Sequence, residues 1–212
     1  MKPYFRPGST VLFQGDSVTD CGQREDPERL GCGYPVRIAR IYNALFPNDR
    51  VCFTNRAISG DRVRDLLRRY DDDFKAVKPD FVSILIGIND VWRRYDRDDP
   101  CSVARFTEEY TRLLTQLKAD LPDAQIMLIT PFLLDSDPNK LPMHEDLDEK
   151  LPVVRRLAEE FGCVLFDYEA ELTETVRRGD FPQEALSADG VHPTDLGQSL
   201  LAVKWLQKLG IL

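Results

Sequence analysis

The chain is expected to be an α/β protein: a three-layer α/β/α sandwich built on a five-stranded parallel sheet, formed by residues 1–212 as one domain. Three observations predict this. Short apolar runs alternate with segments of helical periodicity along the whole length. The runs are apolar at consecutive positions, as strands covered on both faces must be. Polar, glycine-bearing turns follow the runs directly, at the carboxyl edge where open parallel sheets gather their ligands.

The first strand is Thr10-Val11-Leu12-Phe13, β-branched and apolar, which breaks at Gly15 into Asp16-Ser17 and then a second glycine-rich turn at Gly31-Cys32-Gly33. A helical stretch from about Val36 to Phe46 leads to a short strand at Val51 to Thr54. Val63, Leu66, Leu67 and Tyr70 recur at i, i+3, i+4 and i+7, one face of a helix. Phe81 to Ile86 is the clearest buried strand, opened by Pro79-Asp80 and closed by Gly87. Val103, Phe106, Tyr110, Leu113, Leu114, Leu117 and Leu121 mark a long amphipathic helix that stops at Pro122. Gln125 to Ile129 is the fourth strand, and Leu147, Leu151, Val154, Leu157 and Phe161 mark a helix with Gly162 at its end. Val164 to Phe166 is the fifth strand, and a last helix starts at the N-cap Thr194. Right-handed crossovers then give a flavodoxin-like order, 2-1-3-4-5. The Pro- and Asp-containing stretch 134–146 is the longest loop and is placed to act as a lid.

Composition narrows the function. A hydrophobic share of 42% with 30% charged residues is that of a soluble globular chain. The net charge of -8 argues against nucleic-acid or anionic-membrane partners. Five scattered cysteines without a Cys-x-x-Cys pair suit free thiols in a reducing compartment. The first residues lack the apolar core of a signal peptide, and no apolar run approaches the ~18 residues of a membrane span. The expected localisation is cytoplasmic.

Four stretches carry the candidate chemistry: Gly15-Asp16-Ser17, Ala57-Ile58-Ser59-Gly60, Gly87-Ile88-Asn89-Asp90 and Asp189-Gly190-Val191-His192-Pro193. A serine hydroxyl becomes a nucleophile when a base removes its proton, and neutral histidine is that base near pH 7. Of the two histidines, His192 has Asp189 three residues earlier, a spacing that lets the carboxylate hold the second ring N–H. His144 lies in the polar loop with no such partner and is expected to be solvated. The Ser17 and Gly60 amides with the Asn89 side chain would supply a three-donor oxyanion hole. Ser17-Val18-Thr19 lacks the second glycine of a Gly-x-Ser-x-Gly nucleophile elbow, which disfavours the larger α/β-hydrolase fold.

In this order, Ser17, Gly60, Asn89 and His192 resemble the four signature residues of the SGNH hydrolases, also called the GDSL-like esterase/lipase family. The matching blocks run from residue 10 to about 200. Asp16-Ser17-Val18-Thr19-Asp20-Cys21-Gly22 and Gly87-Ile88-Asn89-Asp90-Val91-Trp92-Arg93-Arg94-Tyr95-Asp96, with Ile58-Ser59-Gly60 and Val63-Arg64-Asp65-Leu66, are similar to the intracellular bacterial acetylxylan esterases of that family. The resemblance implies catalytic Ser17, Asp189 and His192, an oxyanion hole of Ser17, Gly60 and Asn89, no cofactor or metal, and a homo-oligomer. The implied substrate is a small ester, with acetyl groups on xylo-oligosaccharides first. A broad short-chain carboxylesterase, lysophospholipase or thioesterase is the alternative, and a non-catalytic carbohydrate-binding protein on the same fold comes third. One departure bears on the substrate: those esterases tend to carry Trp-Asp-Arg where this chain has Ala188-Asp189-Gly190. Asp16, Trp92 and Tyr95 are candidate substrate contacts, the two aromatics either as a sugar-stacking wall or as loop packing. The acidic runs Asp71-Asp72-Asp73 and Asp96 to Asp99 are expected on the solvated surface, and Cys21 as a small filler beside Ser17.

Overall fold

Strands β1 (Thr10–Gly15), β2 (Cys52–Asn55), β3 (Phe81–Leu85), β4 (Gln125–Ile129) and β5 (Val164–Phe166) form one sheet in a computed structural model that describes residues 2–212. Every pairing is parallel and the order is β2-β1-β3-β4-β5, as expected from the alternating pattern. Register follows from burial on both faces. Val11 pairs with Phe81 and Leu12 with Val82, so successive side chains go to opposite layers. Val11, Phe13, Phe81, Met127 and Ile129 meet α2 (Tyr34–Leu45), α7 (Tyr168–Arg177) and α9 (Asp195–Lys208). Leu12, Val82, Ile84, Ile126 and Leu128 meet α3 (Val63–Arg68), α5 (Val103–Asp120) and α6 (Met143–Glu160). Trp205 on α9 is fully buried, and its indole N–H donates to Ser83 Oγ on β3 at 3.0 Å, so a large apolar side chain enters the core with its donor satisfied.

Several elements depart from the sequence reading. The helix α4 (Ile88–Arg97) stands where only a strand-ending turn was expected, and α7 was not foreseen. The signal for α4 is weak because Arg93, Arg94, Asp96 and Arg97 dominate it, yet Ile88, Val91, Trp92 and Tyr95 keep the i, i+3, i+4, i+7 spacing. The 134–146 stretch is shorter as a loop than expected: a 3₁₀ turn occupies Pro138–Lys140 and α6 starts at Met143. The acidic run at 71–73 lies in a π-helical turn (Asp71–Lys75), and Asp73 is buried rather than solvated. Arg69 is its ion-pair partner, and Gln14 Nε2 donates to it at 3.3 Å. Asp99 likewise pairs with Arg62 at 3.2 Å and Arg64 at 3.0 Å. Short helices α1 (Ser17–Asp20) and α8 (Gln183–Leu186) complete the layers. Among the described residues no helix is long and apolar enough to cross a membrane.

β1 and β3 close up at their carboxyl ends. A Cβ on Gly15 would lie 2.3 Å from the Leu85 carbonyl oxygen and 2.6 Å from Thr19 Oγ1. Because the first of these is strand backbone, it cannot step aside without disturbing the pairing. Gly15→Ala is therefore expected to destabilise the fold by about 1–3 kcal/mol, the usual cost of overpacking. A thermal melt checks this, and a Tm equal to the parent's would contradict the close approach.

Candidate active site

Ser17 is placed by the turn that ends β1. Asp16 caps α1, its Oδ1 accepting from the Val18 N–H at 3.1 Å, so Ser17 becomes the first residue of a short helix at the sheet's edge. His192 arrives from the other end of the chain. Asp189 Oδ1 accepts from Val191 N–H at 3.0 Å and His192 N–H at 2.7 Å, a tight acidic turn ahead of α9. Gly190 takes φ +81 there, and a Cβ would meet the Leu134 carbonyl oxygen at 2.4 Å. Thr194 then caps α9 by accepting from Gly197 N–H at 3.2 Å.

These two turns meet. Ser17 Oγ lies 2.8 Å from His192 Nε2, and His192 Nδ1 lies 2.8 Å from Asp189 Oδ2. Burial works to raise the Asp189 carboxyl. The His192 amide and ring, the Val191 amide and the His192 charge outweigh it and hold the group well below the usual carboxylate range. An ionised Asp189 only accepts, so Nδ1 carries its proton and Nε2 is left to accept from the Ser17 hydroxyl. Ser17 is half-buried and His192 is exposed, so the pair opens to solvent.

The Gly60 turn is tied to both. Asp20 on α1 accepts from Ser59 N–H at 2.8 Å and Ser59 Oγ–H at 2.7 Å. Asn89 Nδ2 donates to the Asp61 carbonyl at 3.1 Å, while its Oδ1 accepts from Arg93 one helical turn on. That arrangement fixes which way the amide faces and leaves its second N–H unspent. Neither the Ser17 nor the Gly60 amide donates to any group among the described residues. Arg93 lies within the motif of the resemblance, but its hold on Asn89 is visible only once Asn89 stands on a helix, where i and i+4 are neighbours.

The remaining candidates separate. Asp16 is buried as a helix cap and offers no surface to a substrate, so the expectation of a substrate contact there is corrected. Trp92 stands beside His192, ring centroids 5.9 Å apart, with Lys140 Nζ 4.8 Å from its own centroid. Tyr95 turns away to donate to the Pro142 carbonyl at 2.7 Å, which is loop packing. His144 is not unpartnered: its Nε2 is 2.8 Å from Asp135 Oδ1. Burial, aided by Cys32 and Asp20, pushes the Cys21 thiol up to about 12, so it is a poor nucleophile beside Ser17. Asp90, Cys101 and Glu109 bring ligand atoms within 4.8 Å of one another. Arg105 Nε already donates to Glu109 at 2.8 Å, and the Arg62 charge bears on Asp90, so cations of the chain itself face that cluster.

Two buried carboxyls under the site make stability depend on pH. Burial pushes Asp16 up to about 7, with the Asp90 charge adding to it, and burial pushes Asp90 up to about 7, with Glu109 adding. Unfolded, each would titrate near ~3.9. The folded state therefore holds more protons between these values. The stability these groups contribute is complete below ~4 and is lost as pH rises through the folded value. Tm is expected to fall between pH 5 and pH 8, and Asp90→Asn, which keeps an acceptor for the Val63 N–H at 3.3 Å, to flatten that fall. An unchanged slope in melts across this range would contradict it.

The model of the GDSL-like Lipase/Acylhydrolase family matches residues 13–200. An acetylxylan esterase of Geobacillus stearothermophilus is 36% identical over 211 residues, covering 96% of this chain and 94% of that one. A crystal structure of that organism's acetylxylan esterase superposes with TM-score 0.85 at 33% identity, over 97% of each chain. A putative GDSL-like lipase from Parabacteroides merdae superposes with TM-score 0.90 at 31% identity, over 100% of both chains. With the family's pattern spanning most of its length and the family's fold beneath it, this chain belongs to the GDSL-like lipase/acylhydrolase family and is a carboxylic ester hydrolase.

Proposed function

We propose that the protein is a serine esterase that removes acetyl groups from xylo-oligosaccharides or related sugars through an acyl-enzyme on Ser17. The observation that carries this reading is the unbroken run of hydrogen bonds from Ser17 Oγ through the His192 ring to Asp189, 2.8 Å at each step. The 36% identity to an acetylxylan esterase supports the acetylated-sugar substrate.

Ser17 Oγ attacks the ester carbonyl carbon as its proton passes to His192 Nε2. Asp189 offsets the charge on the imidazolium. The negative oxygen of the tetrahedral intermediate accepts from the Ser17 and Gly60 amides and from the second Asn89 N–H. The bond to the sugar oxygen then breaks, His192 returns its proton to that oxygen, and the alcohol leaves. Water attacks the acyl-enzyme by the same route, and acetic acid is released with the Ser17 hydroxyl restored. Arg93 acts through Asn89 by holding its oxygen, which keeps the amide's donor side toward the intermediate.

Acetate release from acetylated xylo-oligosaccharides and from 4-nitrophenyl acetate tests the reading directly. Ser17→Ala is expected to lower kcat by about 10⁴-fold or more on both. Full activity in that variant would remove Ser17 as the nucleophile. Activity on the nitrophenyl ester alone would keep the esterase and discard the sugar, and preference for long acyl chains would favour the lipolytic alternative. Asn89→Ala is expected to cost about 10²–10³-fold in kcat with little change in KM, measured on 4-nitrophenyl acetate.

A further inference from the structure

Lys140 lies in the stretch that the sequence suggested as a lid. Its ammonium donates to the Asp189 carbonyl oxygen at 2.7 Å and to Asp189 Oδ2 at 3.2 Å, with Asp137 Oδ2 at 3.3 Å. Asp189 Oδ2 is also the atom bonded to the His192 ring. The Lys140 side chain is 12% exposed and that of Asp189 36%, so the contact is partly buried. Its other neighbour is the face of Trp92, whose ring lies against His192. The loop itself is pinned: Leu134 N–H donates to the Gly190 carbonyl at 2.9 Å, and Asp146 pairs with Arg94 at 2.9 Å.

We infer that Lys140 is a positioning residue for the ester hydrolysis proposed above, on which this inference rests. Held by the turn at Pro138–Lys140, it fixes the Asp189 backbone and carboxylate together and presses Trp92 toward the His192 ring. It also puts a positive charge on the carboxylate that must offset the imidazolium. Without that cation the carboxylate would hold an imidazolium more strongly. The other charged groups around the pair are Asp137 on the same turn, Arg93 beyond Trp92 on α4 and the buried Asp16 below Ser17. Each is tied to its own partner or buried, whereas Lys140 alone among them bonds to Asp189.

The test is the pH profile of kcat/KM for 4-nitrophenyl acetate in the full-length wild type, Lys140→Met and Lys140→Arg, with thermal melts on each. In Lys140→Met the acid limb is expected to move up by about half to one pH unit, as loss of a nearby charge implies, so activity falls most below neutrality. Lys140→Arg keeps the charge and is expected to keep the limb in place. An acid limb unmoved in a folded Lys140→Met overturns the inference, and so does a uniform loss at every pH, since a merely structural role would act that way. Asp137→Asn, which frees Lys140 without removing its charge, is expected to leave the limb where it is; a shift as large as that of Lys140→Met would also overturn it. A wild type inactive on every ester would instead remove the esterase reading itself.

Discussion

One carboxylate organises the site. Asp189 accepts two backbone N–H groups of its own turn, the His192 ring and the Lys140 ammonium, and the Ser187 hydroxyl stands 3.3 Å from it. The two amide bonds shape the turn ahead of α9, and the ring bond sets the tautomer that faces Ser17. Because several donors converge on a single ionised group, the conformation of the turn and the orientation of the ring are not independent. This coupling lets a loop residue far along the chain bear on the geometry at Ser17.

The partner half of the site rests on a different kind of support. Ser17, Gly60 and Asn89 sit at the ends of three neighbouring strands of a sheet buried on both faces. Each short turn is then cross-linked to the next by a polar side chain: Asp20 to Ser59, and Asn89 to the Asp61 carbonyl. A sheet covered on both faces holds these turns in register with one another. The result is an open site, with His192 exposed and Ser17 half-buried.

Charged side chains do structural work in the layer that carries α3, α4 and α5. Arg62 is 2% exposed and pairs with Asp99, while Arg69 pairs with the buried Asp73 and with Asp61. Pairs of this kind stabilise little in net terms, because desolvation offsets attraction. Removing one partner, however, strands the other in the interior. They therefore fix the location of the Gly60 turn more than they add to stability.

The sequence alone determined the sheet order and the turns that carry Ser17, Gly60 and His192, through apolar runs for strands, i, i+3, i+4 faces for helices, and glycine or aspartate at turns; the family was legible in the resemblance of its four motif blocks. The same rules contained α4, through Ile88, Val91, Trp92 and Tyr95, but the arginines between them masked the periodicity. Tertiary structure alone decided that Lys140 bonds to Asp189, that Arg93 holds the Asn89 oxygen, that Asp16 is a buried cap and that Asp73 leaves the surface. The Lys140 contact and the burial of Asp16 and Asp73 depend on which distant surfaces pack together, whereas the Arg93 contact needs only Asn89 to stand on α4. A charged residue's letter in the chain does not say whether its partner will be water, a neighbour one turn away or a carboxylate 49 residues on.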